Sequence, residues 1–276
     1  MAANSIPRQI FKKFLAPRLD ERTYKYLQAG AMGWDIFTKN WWEPELELLS
    51  PALRVGETAI DIGANYGLWG YHLGRAVGEH GSVYCFEPLP FTGSTFGLIA
   101  KALRFGPQVH LINKGAGEKK GRVTFNVPVT DWGSIAAGLV SMGRKDDRPG
   151  KEKYVHYNTK EVACDVVTID EQLGALEKVA LIKSDIEGAD LFALRGARKI
   201  IEANKPTVII EITPWYLEGF GLKVADVTGF FDALGYSCYR YETRKLYPAA
   251  AKDIVEDNWV FIHPHRRNRF ASMLPL

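Results

Sequence analysis

No apolar run in this chain approaches the ~20 residues that span a bilayer, so a membrane span is not expected. Cysteine is scarce: Cys85, Cys164 and Cys238 are the only three in 276 residues. They are odd in number, scattered and without metal-ligand spacing, which argues against a disulfide framework or a zinc site and for free, mostly buried thiols in a reducing cytosol. An excess of one charge is also missing. Thirty-five Lys and Arg against thirty-two Asp and Glu leave +3, too little to imply nucleic acid, and no RNA-binding aromatic motif is present. Residues 6–16 are interrupted by Pro7, Lys12 and Lys13 and lack the apolar core of an export signal. A cytoplasmic location follows as an expectation. No internal repeat is visible.

A dinucleotide fingerprint is absent as well. Starting at Gly63, G-x-G-x-x-G requires glycine at positions 65 and 68, where the chain has Asn65 and Leu68, so a pyrophosphate cradle is not expected. What stands there is Asp61-Ile62-Gly63-Ala64-Asn65-Tyr66-Gly67, followed about twenty residues on by Phe86-Glu87-Pro88. These read as a buried strand, a glycine turn, a helix, and a second strand ending in one acid. That is an adenosine-binding βαβ unit, with the turn against the nucleoside and Glu87 accepting from the ribose hydroxyls. Gly63 and Gly67 keep the turn small, which suits S-adenosylmethionine. An ordinary strand-to-helix connection would explain the glycines alone, but not Glu87 at this spacing.

From residue 58 onward strands and helices alternate: strands at 58–62, 82–86, 109–113, 180–183, 207–212, 236–241 and 258–262, and helices at 68–77, 91–103, 189–202 and 224–234. This predicts an α/β fold with a seven-stranded, mostly parallel sheet and helices on both faces. Residues 1–54 read as a helical extension containing Trp41 and Trp42, 55–265 as the main domain, and 266–276 as a basic tail. Residues 121–127 read as an extra strand. Residues 128–160 lack regular pattern and are the candidate lid, with basic residues that permit an acidic acceptor. The clusters Arg8-Lys12-Lys13-Arg18 and Arg266-Arg267-Arg269 read as solvated surface.

Leu181-Ile182-Lys183-Ser184-Asp185-Ile186-Glu187-Gly188-Ala189-Asp190 resembles the K-x-D-x-E-G-x-E segment of FkbM-type methyltransferases. The turn at 61–67 is similar to that family's D-x-G-A-N-x-G, and Phe86-Glu87-Pro88 to its F-E-P. Residues 208–212 and 166–170 follow its pattern too. Asp190 departs from it, standing where Glu is frequent and shortening one carboxylate arm. The resemblance covers residues 55–215. It implies a Rossmann-like class I methyltransferase that uses S-adenosylmethionine, usually on an oxygen. Gly63, Asn65 and Gly67, with Asp61 and Tyr66 of the same motif, would lie at the methionine and ribose. Glu87 and Pro88 would lie at the ribose diol, and Gly115 and Ala116 near adenine.

Methyl transfer from a sulfonium asks mainly for in-line placement of the acceptor, with a base contributing roughly 10²- to 10⁴-fold. Asp185 at the end of one strand, Glu187 two residues on and Glu211 at the end of the neighbouring strand are the expected base candidates, with His156 of the insert as another, and Asp185 is expected among the cofactor-binding residues too. Alternatives stay open: Asp185 or Glu187 as a helix cap, Glu211 on the methionine amino group or bracing a loop, His156 as a solvated residue, and the three carboxylates as ligands of Mg²⁺. The expected acceptor is a hydroxyl of a sugar, glycan or specialised metabolite. A non-catalytic adenosine-binding scaffold is the alternative of a different class, and a homo-oligomer is compatible with the sequence.

Overall fold

A computed structural model describes residues 19–129 and 158–274. Eleven strands are present among them: β1 (Thr58–Ile62), β2 (Ser82–Phe86), β3 (Val109–Ile112), β4 (Gly115–Ala116), β5 (Gly121–Val129), β6 (Asn158–Val167), β7 (Val179–Ser184), β8 (Thr207–Ile212), β9 (Ser237–Glu242), β10 (Lys245–Pro248) and β11 (Asp257–Ile262). Eight form one sheet in the order β10-β9-β11-β8-β7-β1-β2-β3. The stretch from β8 to β3 is parallel, and β11, β9 and β10 close it with antiparallel pairs. The expected seven strands are therefore eight. The missed one, β10, is an exposed edge strand made by a two-residue turn at Thr243 and Arg244, both at positive φ, which no Asn-Gly or Asp-Gly pair announced.

Every residue of β1 and β7 is buried, because helices cover both faces of a parallel sheet. Ala59, Leu181, Ile209 and Val260 point into the core on one face. Ile60, Ile182, Val208 and Phe261 point into the core on the other. Two charges interrupt these apolar strands, Asp61 and Lys183, and they stand opposite each other in register.

The chain winds outward from β1 through β2 to β3 in one direction and from β7 to β8 in the other. The reversal lies between β1 and β7, where open α/β sheets leave a crevice beyond their carboxyl ends. A second sheet, β4-β6-β5, has the extra strand β5 at one edge and β6 at its centre. Its β5–β6 hairpin pairs continuously out to Val129 opposite Asn158. Residues 128–129 and 158–160 of the expected lid are thus strand, because the ladder continues past the point where the sequence turns polar. The remainder of that insert, including His156, lies outside the described residues.

Two more expectations change. The helix expected over 189–202 is two, Asp190–Arg195 and Arg198–Asn204. The break falls at Gly196, where a side chain would overlap the Gly117 carbonyl; the Asp170 carboxylate then accepts the Lys199 and Ile200 amides at 2.9 and 3.1 Å and starts the second helix. The basic tail is not free surface. Arg266 donates to the backbone carbonyls of Lys205, Val179 and Asn204, and Arg269 binds Glu57 through two contacts of 2.6 and 2.8 Å. Of the expected extension, residues 1–18 lie outside the described residues, and the rest carries the helix Glu21–Thr38, a 3₁₀ turn at Pro44–Leu48 and the short helix Leu49–Ala52. The long helix packs on Pro90–Leu103, with Tyr24 stacked against Phe91 at 6.0 Å. Cys85, Cys164 and Cys238 are all free.

Candidate active site

The turn after β1 is shaped by three residues at positive φ, Gly63 (84°), Asn65 (48°) and Gly67 (91°). Both Gly63 and Ala64 donate their amides to the Phe86 carbonyl, at 3.0 and 2.9 Å, which brings the ends of β1 and β2 together. Gly63 is required by a close approach: a Cβ there would overlap the Asp185 carbonyl at the end of β7. At Gly67 the obstruction is the Phe96 and Phe105 rings, so this glycine serves packing and the start of the helix Leu68–Val77.

A cavity of about 690 Å³ opens beyond these strand ends. Asp61, Gly63, Asn65, Glu87, Pro88, Gly115, Ala116, Asp185 and Glu187 all border it. Tyr66 and Gly67 do not: Tyr66 is buried, its hydroxyl engaged with Gln28. Sheet order sets the two ends of the cavity. Glu87, after β2, lies to one side of the β1 turn, together with β4 and the inner face of the β5–β6 hairpin. Asp185, after β7, lies to the other.

At the first end, Glu87 Oε2 accepts the Asn65 amide and Oε1 the Leu89 amide, each at 3.0 Å. Burial nevertheless pushes its pKa up to about 7, the two amides opposing that rise. Asn65, Thr92 and Asp61 line the cavity, and their Oδ1, Oγ1 and Oδ2 atoms are buried with no hydrogen-bond partner among the described residues. Buried polar atoms of this kind are costly unless something completes them. Asp61 is 1% exposed, and burial raises its pKa to about 7 while Lys183 pulls it down.

At the second end, Lys183 Nζ sits 3.2 Å from Asp185 Oδ2. Lys183 is 1% exposed, whereas the Asp185 side chain keeps 40% of its surface open to the cavity mouth. Burial opposes the charge on Asp185, but the Lys183 ammonium and a hydrogen bond with Glu211 outweigh it, and its pKa falls below the ordinary carboxylate range. The same encounter has the opposite effect on Glu211, which burial and the Asp185 charge push up to about 9. Glu211 therefore carries the proton of the pair and donates it to Asp185. It does not border the cavity, so the expected convergence of three carboxylates is two at the mouth, Asp185 and Glu187, with Glu211 behind. Among the described residues no three His, Cys, Asp or Glu side chains are arranged to hold one cation, and the Mg²⁺ alternative draws no support from this geometry.

The next helix, Asp190–Arg195, has no side-chain cap, and Asp190 at its first position reaches back to the preceding loop. Its Oδ1 accepts from Ser184 Oγ at 2.6 Å and the Ile186 amide at 3.2 Å, and its Oδ2 accepts the Gly188 amide at 3.1 Å. The shorter arm noted in the sequence is thus long enough to fix the loop that presents Asp185 and Glu187. Sequence reasoning missed Trp41, Glu43, Trp69 and Lys183, all of which border the cavity. Trp69 Nε1 donates to Glu43 Oε2 at 2.6 Å and its ring lies 5.6 Å from the Lys183 ammonium. The signal for Lys183 was a charge inside an apolar strand run. Trp41 and Glu43 lie before the first strand and carried none.

Open α/β sheets bind their ligands in the crevice at this reversal point, where the cavity of this chain lies. The methyltransferase FkbM domain model matches residues 61–238, and the chain belongs to this family. A protein described as "Methyltransferase 1" from Beauveria bassiana (strain ARSEF 2860) is 28% identical over 150 residues, 50% of this chain and 57% of that protein. A methyltransferase FkbM structure from Methylobacillus flagellatus KT is 18% identical, covering 79% of this chain and 50% of that one, with a TM-score of 0.46. A SAM-dependent O-methyltransferase from Thermotoga maritima is 12% identical, covering 82% and 68%, with a TM-score of 0.44. The chain thus spans only about half the length of the first two proteins.

Proposed function

We propose that this protein transfers the methyl group of S-adenosylmethionine to a hydroxyl of a small-molecule or glycan acceptor. The observation that carries this reading is one cavity with the Glu87 carboxyl and the β1 turn at one end and an ion-paired, open carboxylate, Asp185, at the other. Glu87 has one lone pair committed on each oxygen and a second free on each, which suits the two hydroxyls of a ribose. The unpartnered atoms of Asn65, Thr92 and Asp61 fit a polar ligand with several donors, such as the sugar and amino-acid parts of the cofactor. Gly115 and Ala116 of β4 leave room for a flat base against the backbone. Bound there, the cofactor supplies an electrophilic methyl group.

The residues of the chain then have separate tasks. Asp185, held ionised by Lys183 and hydrogen-bonded by Glu211, accepts the proton of the acceptor hydroxyl. A carboxylate held at low pKa is a weak base, so most of the acceleration falls to positioning. Trp69, Trp41 and Glu43 form the wall against which an acceptor would be oriented.

Two measurements test the reading. S-adenosylhomocysteine should raise the melting temperature by mass action, and a labelled-methyl screen over hydroxylated sugars, macrolides and fatty acids should find an acceptor. No thermal shift at millimolar S-adenosylhomocysteine would overturn the cofactor assignment, and a shift with no acceptor methylated would leave the scaffold reading.

A further inference from the structure

The Asp185 end of the cavity holds more negative charge than the chain balances. Glu43, Asp185 and Glu187 line it, and among the described residues Lys183 is the one cation that lines it with them. Lys183 does not serve all three, because its ammonium is 1% exposed and lies 3.2 Å from Asp185 Oδ2. The other lining cation, Lys119, is on the β4–β5 connection at the Glu87 end. Asp61, opposite Lys183 in register, adds to the excess. Its Oδ2 is buried without a partner among the described residues. Burial, with the charges of Glu43 and Asp185, holds its pKa at about 7 against the pull of Lys183.

Even with Asp61 left aside, two carboxylates are in excess at this end. S-adenosylmethionine, with a sulfonium, an ammonium and a carboxylate, would bring one net positive charge and offset one of them. Uncompensated carboxylates in a cleft are costly and favour a ligand of the opposite sign. The wall shows which kind. Trp69 Nε1 donates to Glu43 Oε2 at 2.6 Å, which fixes the carboxylate and leaves Oε1 without a hydrogen bond among the described residues. Trp41 and Trp69 supply aromatic surface beside it. Among the described residues no three acidic side chains are arranged to hold a metal ion, whereas a carboxylate beside indole rings suits an organic ammonium group. Burial lowers the Lys183 pKa, and Asp185, Glu43 and Asp61 together overcome it, so Glu43 and Asp185 both stand near one ammonium and one small molecule can reach both.

We infer that the acceptor is an amino alcohol or amino sugar, whose ammonium group is held by Glu43 beside Trp41 while its hydroxyl faces Asp185. This rests on the methyl-transfer reading above and names its acceptor class. The ammonium keeps its protons and takes no part in the transfer, since a protonated nitrogen has no lone pair to give.

The test measures labelled-methyl transfer and, separately, calorimetric binding to the full chain loaded with S-adenosylhomocysteine. Matched pairs serve as probes: glucosamine against glucose, ethanolamine against ethylene glycol, and tyramine against tyrosol. In at least one pair the amine should bind at least ~10-fold tighter than its neutral partner, the scale of one charge-assisted hydrogen bond, and the label should be found on oxygen. Glucuronate should bind worst of the sugars. Glu43→Gln keeps an acceptor for Trp69 and should erase the preference while leaving S-adenosylhomocysteine affinity unchanged. Equal or reversed preference in every pair, no amine bound by the loaded protein, label on nitrogen, or a preference that survives Glu43→Gln overturns the inference. Failure of S-adenosylhomocysteine to bind at all is a different result, seen before any acceptor is added, and overturns the cofactor reading and this inference with it.

Discussion

Glu87 Oε2 accepts the Asn65 amide at 3.0 Å, so the acid that ends β2 also fixes the turn that ends β1. Its second oxygen holds Leu89, and the carboxylate is a structural element before any ligand binds. Glu87→Ala should therefore do more than weaken binding. Loss of two charge-assisted hydrogen bonds, worth roughly 1.5–3 kcal/mol each, should cut S-adenosylhomocysteine affinity at least ~10-fold by calorimetry and also lower the melting temperature. Unchanged affinity would remove Glu87 from the site.

The same residue has a pH signature. Its pKa rises from an ordinary 4.5 to about 7 in the folded chain, so the native state holds the proton more tightly than the unfolded state. Its contribution to stability is then complete below about pH 4.5 and declines as pH climbs toward 7. Glu87→Gln should flatten that part of the ligand-free stability profile. A ribose diol donating to the carboxylate favours its anion, so S-adenosylhomocysteine binding near pH 7 should release protons, seen as a buffer-dependent calorimetric enthalpy. Equal enthalpies in phosphate and Tris would refute the contact.

Asp185→Asn should preserve S-adenosylhomocysteine binding and lower kcat by roughly 10². Lys183→Met removes the charge that holds Asp185 ionised, and should move the acid limb of the kcat/KM profile to higher pH. Glu211→Gln keeps a donor to Asp185 and should leave that limb nearly in place. Full activity in Asp185→Asn would pass the role of base to another group, such as His156.

Gly63→Ala should destabilise the protein by more than about 1 kcal/mol, because alanine at positive φ is strained and its Cβ meets the Asp185 carbonyl. Urea titration measures this directly. An unchanged midpoint would mean that the β1 and β7 ends separate at little cost.

The Glu87 end of the cavity was legible in the sequence because it is built locally. Within β1, its turn and β2, the helix Leu68–Val77 and both strands begin and end where periodicity placed them. Asp185 and Glu187 were found by motif, but their partners were not. Whether Glu211 faces the cavity or stands behind Asp185 depends on the register of β7 and β8, and a period of two gives no register between strands. The wall made by Trp41 and Glu43 was invisible for a related reason. Trp41 and Glu43 reach the site only through the packing of a segment that carries no chemical motif, and Arg266 and Arg269 look like solvated charge until Glu57 is placed beside them.

The origin of the two walls has a consequence for how such a domain can diversify. The Glu87 end comes from the strands of the sheet itself, within the stretch that defines the family. Trp41 and Glu43 come from a segment that precedes all of it. Exchange of that leading segment between relatives would reshape one wall of the cavity while leaving the Glu87 end untouched, so the two ends can change independently.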